Sequence, residues 1–389
     1  MAVSLAQLIE TKRIIVCVGA GGVGKTTISA ALGVLAARSG RRALVLTVDP
    51  AKRLANALGL EAFSENIQRI EPDAFAAQGC AVAVPLDAAM LDVKRTFDRV
   101  VSRYSKTAQS RDKILNHPFY QQASTALAGS QEYMAMERLY ECASTGDYDL
   151  IVLDTPPSAH ALDFLDAPNR LVDLFDSTAF RLLLKPTQKL RSNPFRGGSI
   201  VMRGLSKFTS VEMFGNLLEF FGHLSETFDG FVQRARDVQR LLHSPDTTFV
   251  LVSACDATSG EQAAYLRDQL TEQKLQVGAL VLNRVAPFPP KLSDAGSELD
   301  AGFAELLQHI GGELASGDVG KTARQLAMAA RQLSNLARAD ARHLAQVRAG
   351  LPRDAALVAV PRANDEPDTL SRLFRLAELL QAGGMAQPN

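Results

Sequence analysis

The stretch RIIVCVGAGGVGKTTISAAL, residues 13–32, runs from a β-branched apolar segment through a glycine-rich turn into a helical pattern. Its centre, Gly19-Ala20-Gly21-Gly22-Val23-Gly24-Lys25-Thr26-Thr27, satisfies G-x-x-x-x-G-K-[ST], the pattern of a phosphate-binding loop. The glycines let the backbone turn so that successive N–H groups face phosphate oxygens, and the amino end of the following helix adds partial positive charge at the same spot. Lys25 is placed to bridge β- and γ-phosphates, and the Thr26 hydroxyl to hold Mg²⁺. With glycine near 7% of average sequence, a chance match in a chain of this length is on the order of a per cent. A preceding strand and a following helix reduce it further. Gly320-Lys321-Thr322 repeats the last three letters, but Ala315 stands at the first glycine position and no strand precedes it. That segment reads as a helix on the surface.

Outward from the loop, short apolar runs recur at 43–48 (ALVLTV), 81–84 (AVAV), 148–154 (YDLIVLD), 248–253 (TFVLVS), 277–283 (VGALVLN) and 356–360 (ALVAV). Runs of this kind, separated by helical patterns, are parallel strands covered on both faces. The expected fold is therefore α/β: the P-loop NTPase three-layer arrangement, with a mostly parallel central sheet. Residues 86–147 and 160–244 are helix-patterned and longer than a crossover requires, so they are expected to form a helical subdomain inserted between strands of a single domain spanning 1–389. Stretches 193–198 and 286–290 read as loops.

Two of the strand-like runs end in an acid. Asp49 closes LVLTVD, and Asp154 closes LIVLD. A carboxylate at a strand end can cap the next helix, or, beside a phosphate loop, hold Mg²⁺ directly or through water. Two such acids together with a phosphate loop favour the second reading.

Lysine plus arginine and aspartate plus glutamate balance at 42 each, so no global field recruits nucleic acid or an anionic membrane. The N-terminal MAVSLAQLIETKR lacks a basic start followed by an apolar run, and no stretch approaches ~18 uninterrupted apolar residues. A cytoplasmic protein is expected. Cys17, Cys80, Cys142 and Cys255 form no C-x-x-C pair, which argues against zinc and reads as small core residues in a reducing compartment.

GGVGKTT, the VDPA after the second strand and the LDTPPSAH of 153–160 together resemble the arsenite-pump-driving and tail-anchored-protein-targeting ATPases, the ArsA/GET type within the deviant-Walker-A group. AGSQEYMAMERLYE (128–141), VLNRV (281–285) and VAVPRANDEP (358–367) extend the likeness. The resemblance implies ATP as substrate, Asp49 in switch I orienting or activating the attacking water, and Asp154 opening switch II. It further implies Asn283 on the adenine edge, Pro361 in the adenine loop, and His160 at the switch II histidine, a position a helix-packing residue could equally fill. Such proteins usually carry a lysine directly after the first loop glycine that reaches the partner's nucleotide across a dimer. Here that residue is Ala20. Lys52 and Arg53, close behind Asp49, are either compensating cations or solvated charges at a helix start.

The expected activity is Mg²⁺-dependent ATP hydrolysis that moves the helical insertions, in a homodimer or a dimer with a paralogue. The amphipathic, Phe- and Met-bearing stretches within 171–242 are either core or a groove for a hydrophobic, tail-anchored client or membrane partner. The alternatives are an arsenite- or anion-pump-driving ATPase and a slow nucleotide-gated scaffold.

Overall fold

Along β1 (Ile14–Gly19) successive side chains point to opposite faces of a sheet, and both faces are covered. Ile15 and Cys17 pack into one apolar cluster and Ile14, Val16 and Val18 into another, the period-two division of a strand inside three layers. The computed structural model describes residues 3–48, 53–60, 67–118, 120–121, 130–156, 173, 228–286, 305, 319–362 and 369–383.

Around β1 the chain lays down β2 (Ala43–Thr47), β3 (Gln68–Ile70), β4 (Leu86–Met90), β5 (Leu150–Asp154), β6 (Thr247–Ala254), β7 (Val277–Val285) and β8 (Ala356–Pro361). They form one eight-stranded sheet in the order β3-β4-β2-β5-β1-β6-β7-β8. Every neighbouring pair is parallel except β3 against β4. β1 is central, so the loop that leaves it emerges between the ends of β5 and β6.

One face carries α1 (Leu5–Thr11), α2 (Lys25–Arg38), α3 (Arg53–Ala57) and α4 (Pro72–Ala76). α2 is apolar on nearly all sides, from Ile28 to Ala37, as a helix enclosed by sheet and neighbours must be. The other face carries α5 (Val93–Tyr104), α7 (Ser130–Thr145), α8 (Phe228–Leu242), α9 (Ala257–Glu272) and α10 (Val319–Gly350); α6 (Ala108–Leu115) follows α5, and α11 (Leu370–Gln381) returns to pack on α2.

Two sequence expectations change. AVAV at 81–84 is not a strand; the strand is Leu86–Met90, so the helices of the segment 86–147 begin at Val93. Val82 and Val84 are partly buried against the core without joining the sheet. Asp87, inside β4, is 4% exposed. It is held by Arg69 Nε at 2.9 Å and by the Tyr148 hydroxyl at 3.0 Å, which makes a carboxylate tolerable there. Most of 160–244 lies outside the described residues. Lys321 and Thr322 are exposed on α10, as expected.

Candidate functional site

Sheet register assembles the site. Thr47 at the end of β2 and Cys17 of β1 both stand opposite Asp154, so the acid closing β5 lies between the end of β2 and the strand that leads into the glycine-rich loop. The Asp154 side chain is fully buried. Its Oδ2 accepts from Thr26 Oγ1 at 2.7 Å and from Thr47 Oγ1 at 2.8 Å. The backbone repeats the connection: Val48 N donates to Asp154 O at 3.0 Å, and the Thr155 hydroxyl donates to Cys17 O at 2.7 Å.

The loop itself is shaped by close approach. Gly19 passes so near the Val252 carbonyl that a Cβ would run into it. Gly24, the residue before α2, sits at φ +96°, a left-handed conformation that glycine adopts without strain. The N-cap of α2 is Gly24, which has no side chain to cap it, and the amino end of a helix of this kind favours an anion. Ala20 and Val23 are buried, whereas Gly21 and Gly22 are exposed. Lys25 is 7% exposed and its ammonium donates to Gly19 O at 3.0 Å and Ala20 O at 2.9 Å. Thr26 and Thr27 follow, both partly buried, in the first turn of α2. The loop thus brings one cation, a helix amino end and a hydroxyl–carboxylate pair to one end of the sheet, which is a fitting environment for a metal-bound triphosphate.

Asn283 and Pro361 lie on the other side of the loop. Asn283 Nδ2 donates to Val23 O at 2.9 Å, and Pro361, ending β8, stands beside Val285. Asp49, Lys52 and His160 lie outside the described residues, and Arg53 is described only as the first backbone position of α3. Three contributors went unread in the sequence. Thr47 and Thr155 hold the Asp154 corner. Gln131, on α7, donates from Nε2 to Val48 O at 3.1 Å, tying that helix to the strand end just ahead of Asp49. The signal for Thr47 was its place before Val-Asp in LVLTVD; Gln131 gave none beyond its place in the AGSQEYM segment.

The family described as anion-transporting ATPase matches residues 12–297, well over half the chain. The protein belongs to the anion-transporting, ArsA-type ATPase family. This ATPase is 25% identical over 290 residues to the ATPase GET3 of Malassezia globosa, covering 74% of this chain and 77% of that one. It is 25% identical over 271 residues to the ATPase ASNA1 homolog 1 of Paramecium tetraurelia, 70% of this chain and 74% of that one. A putative arsenical pump-driving ATPase of Prosthecochloris vibrioformis is 30% identical over 192 residues, 46% of this chain and 42% of the relative. The chain is a nucleotide-binding ATPase of the type these relatives represent. No described helix is long and apolar enough to cross a membrane.

All four cysteines are free thiols. Burial pushes Cys17 and Cys255 up to about 12 and raises Cys80 and Cys142, away from the thiolate form that binds soft metals. Among the described residues no group of three His, Cys, Asp or Glu side chains is placed to hold a metal ion.

Proposed function

We propose that this ATPase hydrolyses Mg²⁺-bound ATP at the 19–27 loop and uses the cycle to hold and release a hydrophobic protein segment in the cytoplasm. The observation that carries the site is the Thr26–Asp154–Thr47 cluster at the start of α2. Thr26 Oγ1 and the Asp154 carboxylate are hard oxygen donors joined in one hydrogen-bonded pair, which fits Mg²⁺. When bound, the ion would neutralise charge on the β- and γ-oxygens. Lys25 is the cation that moves from two loop carbonyls to those same oxygens. Asp49 orients and deprotonates the attacking water, Asn283 and Pro361 meet the adenine, and His160 carries the change in switch II toward the helices.

Coupling to a client rests on three features. Stretches within 171–242 are amphipathic in pattern and bear Phe and Met; α10 exposes Leu326, Met328, Leu333 and Leu336; and relatives named ATPase GET3 align over most of both chains. The working unit is a dimer, of this chain or of a paralogue. A second reading, a slow nucleotide-gated scaffold, is favoured by Ala20, which leaves the trans cation of the resemblance missing. Charges of that kind, supplied as arginine fingers, are worth roughly 10³–10⁵ in rate. Single-turnover hydrolysis in Ala20→Lys, Lys52→Ala and Arg53→Ala separates the readings. A tenfold loss in either alanine variant makes switch I the substitute, whereas acceleration by Ala20→Lys alone marks the slow scaffold.

Asp49→Asn tests the chemistry. It keeps ATP affinity and loses most hydrolysis, because an amide cannot take the water's proton. A parallel fall in affinity and rate would place Asp49 in binding or folding instead.

A further inference from the structure

The phosphate loop is held from outside itself, by the side chain of Asn283. Its Nδ2 donates to the Val23 carbonyl at 2.9 Å, across 260 residues of sequence. Val23 directly precedes Gly24, whose positive φ starts α2. A Cβ on Gly24 would collide with the same Asn283 amide, so the bare glycine and the asparagine fit together as a pair.

The irregular end of β7 that presents Asn283 is itself anchored. Arg284, which is not glycine, adopts φ +60°, a strained left-handed conformation that persists only where its surroundings hold it. Here Asn283 Oδ1 accepts from Arg284 N at 2.9 Å. Val285 O then accepts from Arg362 N at 2.8 Å, and Ala286 N donates to the buried Asp340 carboxylate on α10 at 2.7 Å. Four consecutive residues are thereby joined to the loop, to each other, to β8 and to α10. The pairing of β7 with β8 shifts register at the same place, between Leu282 and Val285.

We infer that Asn283 is a positioning residue for the phosphate loop: by gripping Val23 it holds the loop in its phosphate-receiving shape whatever base the nucleotide carries. The inference rests on the 19–27 loop being the triphosphate site, as proposed above. A carboxamide has two N–H donors and two acceptor lone pairs. Val23 and Arg284 use one of each, which leaves one donor and one acceptor for a base edge. Loop holding and base reading are therefore separate contributions of one side chain, and a ligand with no base isolates the first.

The test compares wild type, Asn283→Ala and Asn283→Asp for Mg²⁺-dependent binding of ATP, GTP and inorganic tripolyphosphate, with hydrogen exchange of the 19–27 peptide. The aspartate is close in size and keeps an acceptor for Arg284 N, but turns an oxygen toward the Val23 carbonyl; it carries the test if the alanine protein does not fold. Both variants weaken tripolyphosphate and GTP by about threefold to tenfold, the range of one hydrogen bond, and ATP by at least as much. Exchange in 19–27 accelerates while β6 and α11 keep wild-type protection. Unchanged tripolyphosphate affinity and unchanged exchange, with ATP alone weakened, would overturn the inference and leave Asn283 a base reader. Wild-type protein that binds neither ATP nor tripolyphosphate would overturn the site assignment itself.

Discussion

Thr26 and Asp154, 128 residues apart in the chain, share a hydrogen bond of 2.7 Å that ties the first turn of α2 to the end of β5. Thr47 bonds the same carboxylate oxygen, so one buried acid orders the ends of two strands and a helix.

Asp154→Asn retains an acceptor for both hydroxyls, and its melting temperature stays near wild type. Asp154→Ala leaves two hydroxyls without that acceptor and costs about 1–3 kcal/mol. Both variants, and Thr26→Val, lower hydrolysis at least tenfold, about 1.4 kcal/mol of barrier, and shift the Mg²⁺ requirement upward. Magnesium titration of phosphate release checks this; an unshifted requirement in all three would remove the pair from metal binding.

Glycine positions separate strain from function. Gly24→Ala places a Cβ at positive φ and against Asn283, so it loses stability beyond the ~1–2 kcal/mol of a left-handed L-residue and loses nucleotide affinity as well. Gly40→Ala, at φ +81° with nothing within 4 Å, bears the conformational cost alone and binds ATP normally. Chemical denaturation beside ATP titration distinguishes them, and equal affinity in both variants would contradict the argument.

The fold was legible wherever local chemistry agreed with burial. Continuous apolar runs marked β1, β2 and β5 to β8, and the glycines and Lys25 marked the loop. β4 was hidden because LDAAM carries a buried acid whose partners, Arg69 and Tyr148, lie 18 and 61 residues away. β3 is three residues long, too short for a pattern. Asp154 could be picked out as a strand-end acid, but its pairing with Thr47 is a product of strand register, which local sequence does not encode.

A pH effect is built into the helical layer. Glu137 on α7 is 2% exposed, with Arg234 Nε at 3.1 Å and Arg103 at 3.7 Å; Glu141, Tyr104 and Tyr133 also surround it. Burial pushes its carboxyl up to about 7 against the pull of the two arginines. The folded state therefore holds this proton more tightly than the unfolded chain, where the ordinary value is 4.5. The contribution is full below pH 4.5, declines as pH rises toward 7 and is lost above it. Its size is at most about 3 kcal/mol. Denaturant midpoints between pH 4.5 and 8 show this slope in wild type, and Glu137→Gln flattens it; an equal slope in both proteins would assign the effect to another group.

The central claim is that hydrolysis takes place at the 19–27 loop, with Lys25 as the cation on the transferred phosphate. Phosphate release from Mg²⁺–ATP in wild type and Lys25→Ala, with melting temperatures taken in parallel, measures it directly. The account predicts turnover in wild type, none above background in the variant, and a melting transition that persists because the ammonium's bonds to Gly19 O and Ala20 O tie the loop to itself. Wild-type turnover in a folded Lys25→Ala protein would contradict it.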